Sequence, residues 1–233
     1  MDRRTFLATT AAGLGGGLAG CTGSGEDGTT APGTTSPPGG GGLPDHAAVD
    51  GIQTQPYLGP PPGEAPGTIV AFEDPSCPTC AAFDFRVVPE ITSNLVEPGR
   101  ATFVLRGYPV IYPWGEPASH ALEAVYEADA AAVWDLLAHY FDVQREYEGT
   151  DPAGVYDMTE TFLAEETDLD ATAVVDRARA GGVEDAVRTD LDAGKAAGAG
   201  RTTPHLFLFS DGEYLTKAAG SISYRVIEST LGV

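Results

Sequence analysis

Thr68-Ile69-Val70-Ala71-Phe72-Glu73-Asp74-Pro75-Ser76-Cys77-Pro78-Thr79-Cys80 is the stretch that decides how this chain folds. Its first five residues are mostly β-favouring and uninterrupted, as in a strand buried on both faces. Its last four place two thiols with two residues between them, a spacing that closes a small, easily opened disulfide ring. A strand feeding directly into a helix leaves Cys77 at the helix N-terminus, where unpaired N–H groups and the helix dipole stabilise a thiolate. Pro78 suits the first helical turn, where its missing N–H costs nothing. Such a pair can pass oxidising or reducing equivalents to other proteins.

Working outward, Phe83, Val87 and Val88 recur at helical spacing. Pro89 kinks that helix before Ile91 and Leu95 continue it, and Pro98-Gly99 stops it. Residues 101–106 form the next strand, ended by Tyr108-Pro109, and residues 51–58 suggest a short first one. From about 116 to 198 the pattern is helical, with Leu122, Val125 and Tyr126 on one buried stripe and Val133, Leu136, Leu137, Tyr140 and Phe141 on another. Further helices are expected at 159–166, 171–180 and 183–195. Strand character returns at 205–209, Ser210-Asp211-Gly212 turns the chain, and 213–218 runs back. A last helix follows, capped by Ser221 or Ser223, with Val226, Ile227 and Leu231 on its apolar side. A parallel β–α–β half followed by an antiparallel hairpin and a helix is an α/β layout, the thioredoxin fold. The helical block is then an inserted subdomain.

The N-terminal part is not expected to be fold. Arg3-Arg4-Thr5-Phe6-Leu7 is a twin-arginine pattern, and Leu18-Ala19-Gly20-Cys21 resembles a lipobox whose cysteine is lipidated. The apolar stretch between them is too short and glycine-rich to span a bilayer. Residues 1–21 are therefore expected to be an export signal. Residues 22–45, rich in Gly, Thr, Ser and Pro, should form a flexible tether, and 46–233 one domain with a real core. With Cys21 taken by lipid, only Cys77 and Cys80 remain, and an oxidising compartment favours their disulfide at rest.

The net charge is −21, with 34 acidic residues against 13 basic, of which only Lys195 and Lys217 are lysines. That excludes a nucleic-acid partner, which needs a basic surface. The acids are spread along the chain, as in a solvated shell for a salty environment. Together with the signal pattern, this composition resembles secreted proteins of halophilic archaea.

On several motifs the chain resembles the DsbA-like thiol–disulfide oxidoreductases, thioredoxin-fold proteins with a helical insertion. They are Phe72 through Cys80, Val88-Pro89-Glu90, residues 103–109, Trp114-Gly115-Glu116-Pro117-Ala118 at the start of the insertion, and Thr203-Pro204 before the strand at 205–209. The resemblance implies that Cys77 is the exposed nucleophile and Cys80 the buried resolving thiol. It also implies a cis-Pro204 against the pair, with the Thr203 backbone free to bind an extended client segment. Clients would be proteins bearing thiols or disulfides, an unidentified redox partner would reset the pair, and no organic cofactor or metal is needed. Many such proteins bury an acid in the strand before the motif. Here Glu73 and Asp74 are the nearest acids that could move protons for Cys80.

Two other classes compete. The two thiols, helped by His120, His139 or His205, could hold copper(I) or zinc for delivery, although no second CxxC or HxxxH completes a set. A tethered, non-catalytic binding lipoprotein would make the dithiol incidental. Tyr108, Tyr112 and Trp114 are candidates to border an apolar client groove.

Overall fold

The apolar runs on either side of the first helix become the two central strands of a sheet. The computed structural model describes residues 42–233. The expected signal at 1–21, Cys21 and the first twenty residues of the expected tether lie outside the described residues. The strands are β1 (Tyr57–Leu58), β2 (Gly67–Glu73), β3 (Ala101–Gly107), β4 (His205–Ser210) and β5 (Glu213–Ala219). They lie in the order β1-β3-β2-β4-β5, with β2 and β3 parallel and every other pair antiparallel. Only α1 (Pro78–Arg86), α2 (Val88–Ile91) and a π-helical turn (Thr92–Val96) connect β2 to β3. The helix breaks just before Pro89, whose ring and missing N–H interrupt the ladder there.

Every residue of β2 is buried, because both faces of the sheet are covered. Ile69 and Ala71 pack with Phe83, Ile91, Phe103, Leu208 and Ile227 under α1, α2 and the last helix, α9 (Tyr224–Leu231). The alternate residues Val70 and Phe72 pack on the other face with Val104, Phe207 and Tyr108. Between β3 and β4 the chain forms α3 (Gly115–Ala128), α4 (Ala132–Asp142), α5 (Gln144–Tyr147), α6 (Pro152–Glu166), α7 (Ala171–Arg179) and α8 (Glu184–Ala197). These helices share a core of their own that includes Leu136, Tyr140, Val155 and Val175 and reaches the Cys pair. The architecture is a thioredoxin-fold mixed sheet with an inserted helical region.

A buried ion pair ties α8 to the sheet. Arg106 of β3 and Asp190 of α8 are both fully buried and sit 2.8 Å apart. Arg106 Nε donates to Asp190 Oδ1 at 2.9 Å, and the Gly107 N–H donates to Oδ2 at 2.9 Å. Arg106 Nη1 also donates to the carbonyls of Ala48 and Asp50, at 3.1 and 2.8 Å, fixing the segment that enters the fold.

Three expectations need correction. The strand expected at 51–58 is reduced to Tyr57–Leu58, because Ile52–Thr54 forms a 3-10 turn entered by left-handed Gly51. The helix expected from 159 begins at Pro152, where Asp151 caps it by accepting from the Gly154 N–H; a proline at the first position starts this helix rather than breaking it. Val226 is 49% exposed, and the buried side of α9 is Tyr224, Ile227 and Leu231 at i, i+3 and i+7. Ser223, not Ser221, occupies the N-cap position. The hairpin turn has both Asp211 and Gly212 at positive φ, 50° and 79°, the backbone of a tight two-residue turn.

Burial outweighs the attraction of Arg106 and holds Asp190 up at about 6, so the pair is charged above that pH. Removing one partner of a buried pair strands the other charge without solvent. Asp190→Ala is therefore expected to cost on the order of 3–5 kcal/mol, read as a lower urea midpoint above neutral pH. An unchanged midpoint contradicts the assignment.

Candidate active site

Cys77 is the N-cap residue of α1 and Pro78 opens the helix, so the first free N–H groups of the helix gather at its sulfur. The Cys77 N–H donates to the Asp74 carbonyl at 2.9 Å, which closes the turn between strand and helix. Cys77 and Cys80 are free thiols in this structure, the reduced form of the pair. The sulfurs differ sharply. A hydrogen bond from Cys80 outweighs burial and, helped by the Thr203 side chain and the Cys80 and Thr79 N–H groups, lowers Cys77 from 9.0 to about 6. Burial, the hydrogen bond to Cys77 and the nearby Glu73 and Cys77 charges push Cys80 well above the ordinary thiol range.

The peptide bond between Thr203 and Pro204 is cis, and the Cys77 thiol donates to the Thr203 carbonyl at 3.3 Å. The structure thus brings Cys77, Cys80 and Thr203-Pro204 together. Cys77 is not the open residue the resemblance implied. It keeps 4% exposure against 0% for Cys80, because the loop at Thr203 packs over it.

The two neighbouring acids have different surroundings. Asp74 is fully engaged: Oδ1 accepts from the Ser76 N–H and hydroxyl, at 2.8 and 2.5 Å, and Oδ2 from the Val110 and Ile111 N–H groups, both at 2.7 Å. Its carboxylate pins the active-site loop to the start of the helical region. Gly115 is glycine for that reason, since a Cβ there would sit 2.4 Å from Asp74 Oδ1. Glu73 follows Ile69 and Ala71 on one face of β2 and is buried, and its Oε2 has no hydrogen-bond partner among the described residues. Burial first, then the charges of Asp84 and Cys77, push Glu73 well above the carboxylate range. Ser76, which donates to Asp74 and accepts from the Tyr112 N–H at 3.1 Å, was not singled out in the sequence. Asp-x-Ser in a strand-to-helix turn is its signal.

Other candidates are placed elsewhere. Tyr108 and Trp114 are buried, Tyr108 donating to the Gly200 carbonyl at 3.0 Å and Trp114 stacking on Tyr147. Neither borders an open groove, and Tyr112, 49% exposed, is the one of the three at the surface. His120 bridges the Glu116 carbonyl and Glu184, His139 contacts Tyr147 and Phe162, and His205 meets the Thr202 carbonyl. Among the described residues, no three His, Cys, Asp or Glu side chains stand together as a metal-binding group.

A family model described as Thioredoxin matches residues 53–218. Disulfide bond formation protein D of Bacillus subtilis is 30% identical over 97 residues, covering 42% of this chain and 43% of that protein. A Bacillus anthracis protein named as a probable disulfide bond formation protein D is 27% identical over 82 residues, 38% of its length. The match spans less than half the length of these curated relatives. In fold, the chain is similar to crystalline oxidised BdbD from Bacillus subtilis, with a TM-score of 0.65 and 21% identity, covering 82% of this chain and 97% of that one. It is also similar to alpha-DsbA1 of Wolbachia pipientis, with a TM-score of 0.62 and 18% identity, covering 76% and 91%.

The asymmetry of the sulfurs has a direct readout. Thiolate absorbance of the reduced chain is expected to titrate near pH 6. Cys80→Ala, which removes the strongest stabilising contact, should move that midpoint up toward the ordinary thiol value. A midpoint that stays in place would remove Cys80 as the cause.

Proposed function

The chain belongs to the thioredoxin family, and from that premise we propose that it is a thiol–disulfide oxidoreductase of the DsbA type acting on client proteins. The observation that carries this reading is the pair itself, with Cys77 ionised near neutral pH and Cys80 buried and protonated. The names of the Bacillus relatives support it.

In the oxidised pair a client thiolate attacks Cys77 Sγ, the Cys77–Cys80 bond breaks, and Cys80 leaves with the electron pair and takes up a proton. A second client thiolate then attacks the client sulfur of the mixed disulfide. Cys77 leaves as its stabilised thiolate, the client is oxidised and the pair reduced. Glu73, buried beside Cys80 and pushed by burial well above the carboxylate range, is the acid suited to supply the Cys80 proton. Asp74 holds the loop. With a value of about 6, the Cys77 thiolate outnumbers its thiol about tenfold at neutral pH. That favours the dithiol by about 1.4 kcal/mol, or about 30 mV. The bias runs toward oxidising clients. Thr203 is buried and its carbonyl accepts from the Cys77 thiol, so the expected pairing of an extended client segment with its backbone requires this loop to move off the sulfur.

The twin-arginine pattern at Arg3-Arg4 and the lipobox ending at Cys21 support export and a lipid anchor on the outer face of the cell membrane. No helix among the described residues is long and apolar enough to cross a membrane. The acidic, lysine-poor composition supports a halophilic setting. An unidentified redox partner completes the cycle.

The test is trapping. Given a peptide disulfide, the full chain with Cys80→Ser is expected to accumulate a mixed disulfide at Cys77, seen by non-reducing electrophoresis and peptide mapping. Cys77→Ser should form none. If Cys80→Ser gives no adduct, the reading fails.

A further inference from the structure

A further buried carboxyl, Glu123, shares a cavity with Glu73, and the exchange steps above do not use it. Gly115, Ser119, Glu123 and Glu127 recur every four residues along α3, so they share one face. That face begins at the active-site loop, where Gly115 abuts Asp74 and Ser76. It ends at the surface, where half-exposed Glu127 pairs with Arg177 of α7. Between these ends Ser119 is buried and Glu123 keeps 8% exposure.

Ser119 and Glu123 line a cavity of about 10 Å³ whose wall also includes Glu73, Pro75, Leu105 and Gly107. A cavity on that scale holds one water molecule. Two oxygens belonging to its lining residues, Glu73 Oε2 and Ser119 Oγ, have no hydrogen-bond partner among the described residues. Buried polar atoms of that kind are ordinarily satisfied by an internal water.

We propose that this face of α3 relays protons to Cys80: Glu73 serves the thiol, a cavity water beside Ser119 links Glu73 to Glu123, and Glu123 exchanges with solvent near Glu127. The relay rests on the disulfide-exchange reading and deepens it. When a thiolate opens the Cys77–Cys80 bond, Cys80 departs as a thiolate and takes the proton of Glu73. The Glu73 carboxylate is reprotonated from Glu123 through the water, and Glu123 regains a proton from solvent. Only protons move along the relay. The electron pair stays on Cys80 sulfur, and the attacking thiol is the reductant. Cys77, a stabilised thiolate when it leaves, needs no such supply.

Several groups face Glu123. Glu73 of β2 shares the cavity, Arg106 of β3 and Asp190 of α8 lie close, and Tyr126 and Glu127 belong to its own helix. The cavity wall from α4 is apolar, formed by Val133 and Leu137. Burial first, then Asp190 and Glu127 against the opposing pull of Arg106, push Glu123 up to about 8. It therefore holds a proton at neutral pH and loses it above about 8.

The experiment follows reduction of the oxidised full chain by dithiothreitol in a stopped-flow instrument across pH, with rates normalised to reductant thiolate. The native chain should slow above about pH 8 as Glu123 ionises. Glu123→Gln, which keeps shape and neutrality, should react on the order of tenfold slower at neutral pH and show no break near 8. Its reduction potential at neutral pH should be unchanged. A variant that keeps the break, at whatever rate, overturns the relay. Ser119→Val decides the matter if Glu123→Gln does not fold: its bulk takes the water's space while both acids remain. Loss of the break supports the relay and its retention overturns it. A native chain unreactive at Cys77 overturns the relay together with the exchange reading, whereas normal native exchange with unaltered variant profiles overturns the relay alone.

Discussion

A CxxC pair can exchange disulfides only if its two sulfurs differ, and here one turn of helix separates a stabilised anion from a buried neutral thiol. Cys77 sits where α1 leaves its first N–H groups unpaired, and Cys80 points a hydrogen bond at it from the next turn. The same hydrogen bond that lowers Cys77 raises Cys80, so the difference is built into the pair. The geometry requires β2 to end and α1 to begin within a few residues. Asp74 enforces that by accepting four hydrogen bonds, two of them from the loop that leads into the helical region.

The polar groups inside the protein divide into fixed and free ones. Arg106 and Asp190 hold each other and fasten α8 and the entering segment to the sheet, which sets the position of the helical region over the strand ends. Asp74 is similarly committed to its loop. Glu73 and Ser119 keep oxygens without partners among the described residues. The fold satisfies Asp74 and Asp190 fully and leaves an unsatisfied oxygen on Glu73, beside the thiol that must gain and lose a proton. Structural acids need fixed partners, whereas a proton carrier needs an uncommitted lone pair.

Local chemistry was legible in the sequence. The Cys77-Pro78-Thr79-Cys80 run, the two strands around its helix, the kink at Pro89 and the turn at Asp211-Gly212 each depend on residues close in the chain, where propensity and spacing speak directly. Contacts between distant segments were not. The covering of Cys77 comes from Thr203, 126 residues away, and the Arg106–Asp190 pair spans 84. Glu73 and Asp74 could not be told apart, because adjacent residues at a strand end turn to different surroundings and only the fold shows which is already hydrogen-bonded. Glu123 stood at regular spacing with Ser119 and Glu127, but among 34 acids that pattern resembles any solvated helix face. The start of α6 at Pro152 was not legible, because position within a helix, which sequence spacing leaves open, decides whether proline stops or starts it.

The central claim is that Cys77 ionises early and Cys80 late in the reduced pair, and the reduction potential measured against pH tests it most directly. The full chain would be equilibrated in glutathione buffers and the fraction reduced read at each pH. Below the Cys77 value the potential should fall by about 59 mV per pH unit, and above it by about 30 mV, since one proton fewer is then taken up per pair reduced. The account predicts that change of slope near pH 6. A single slope up to the ordinary thiol range, or a pair that never exchanges with glutathione, would contradict it.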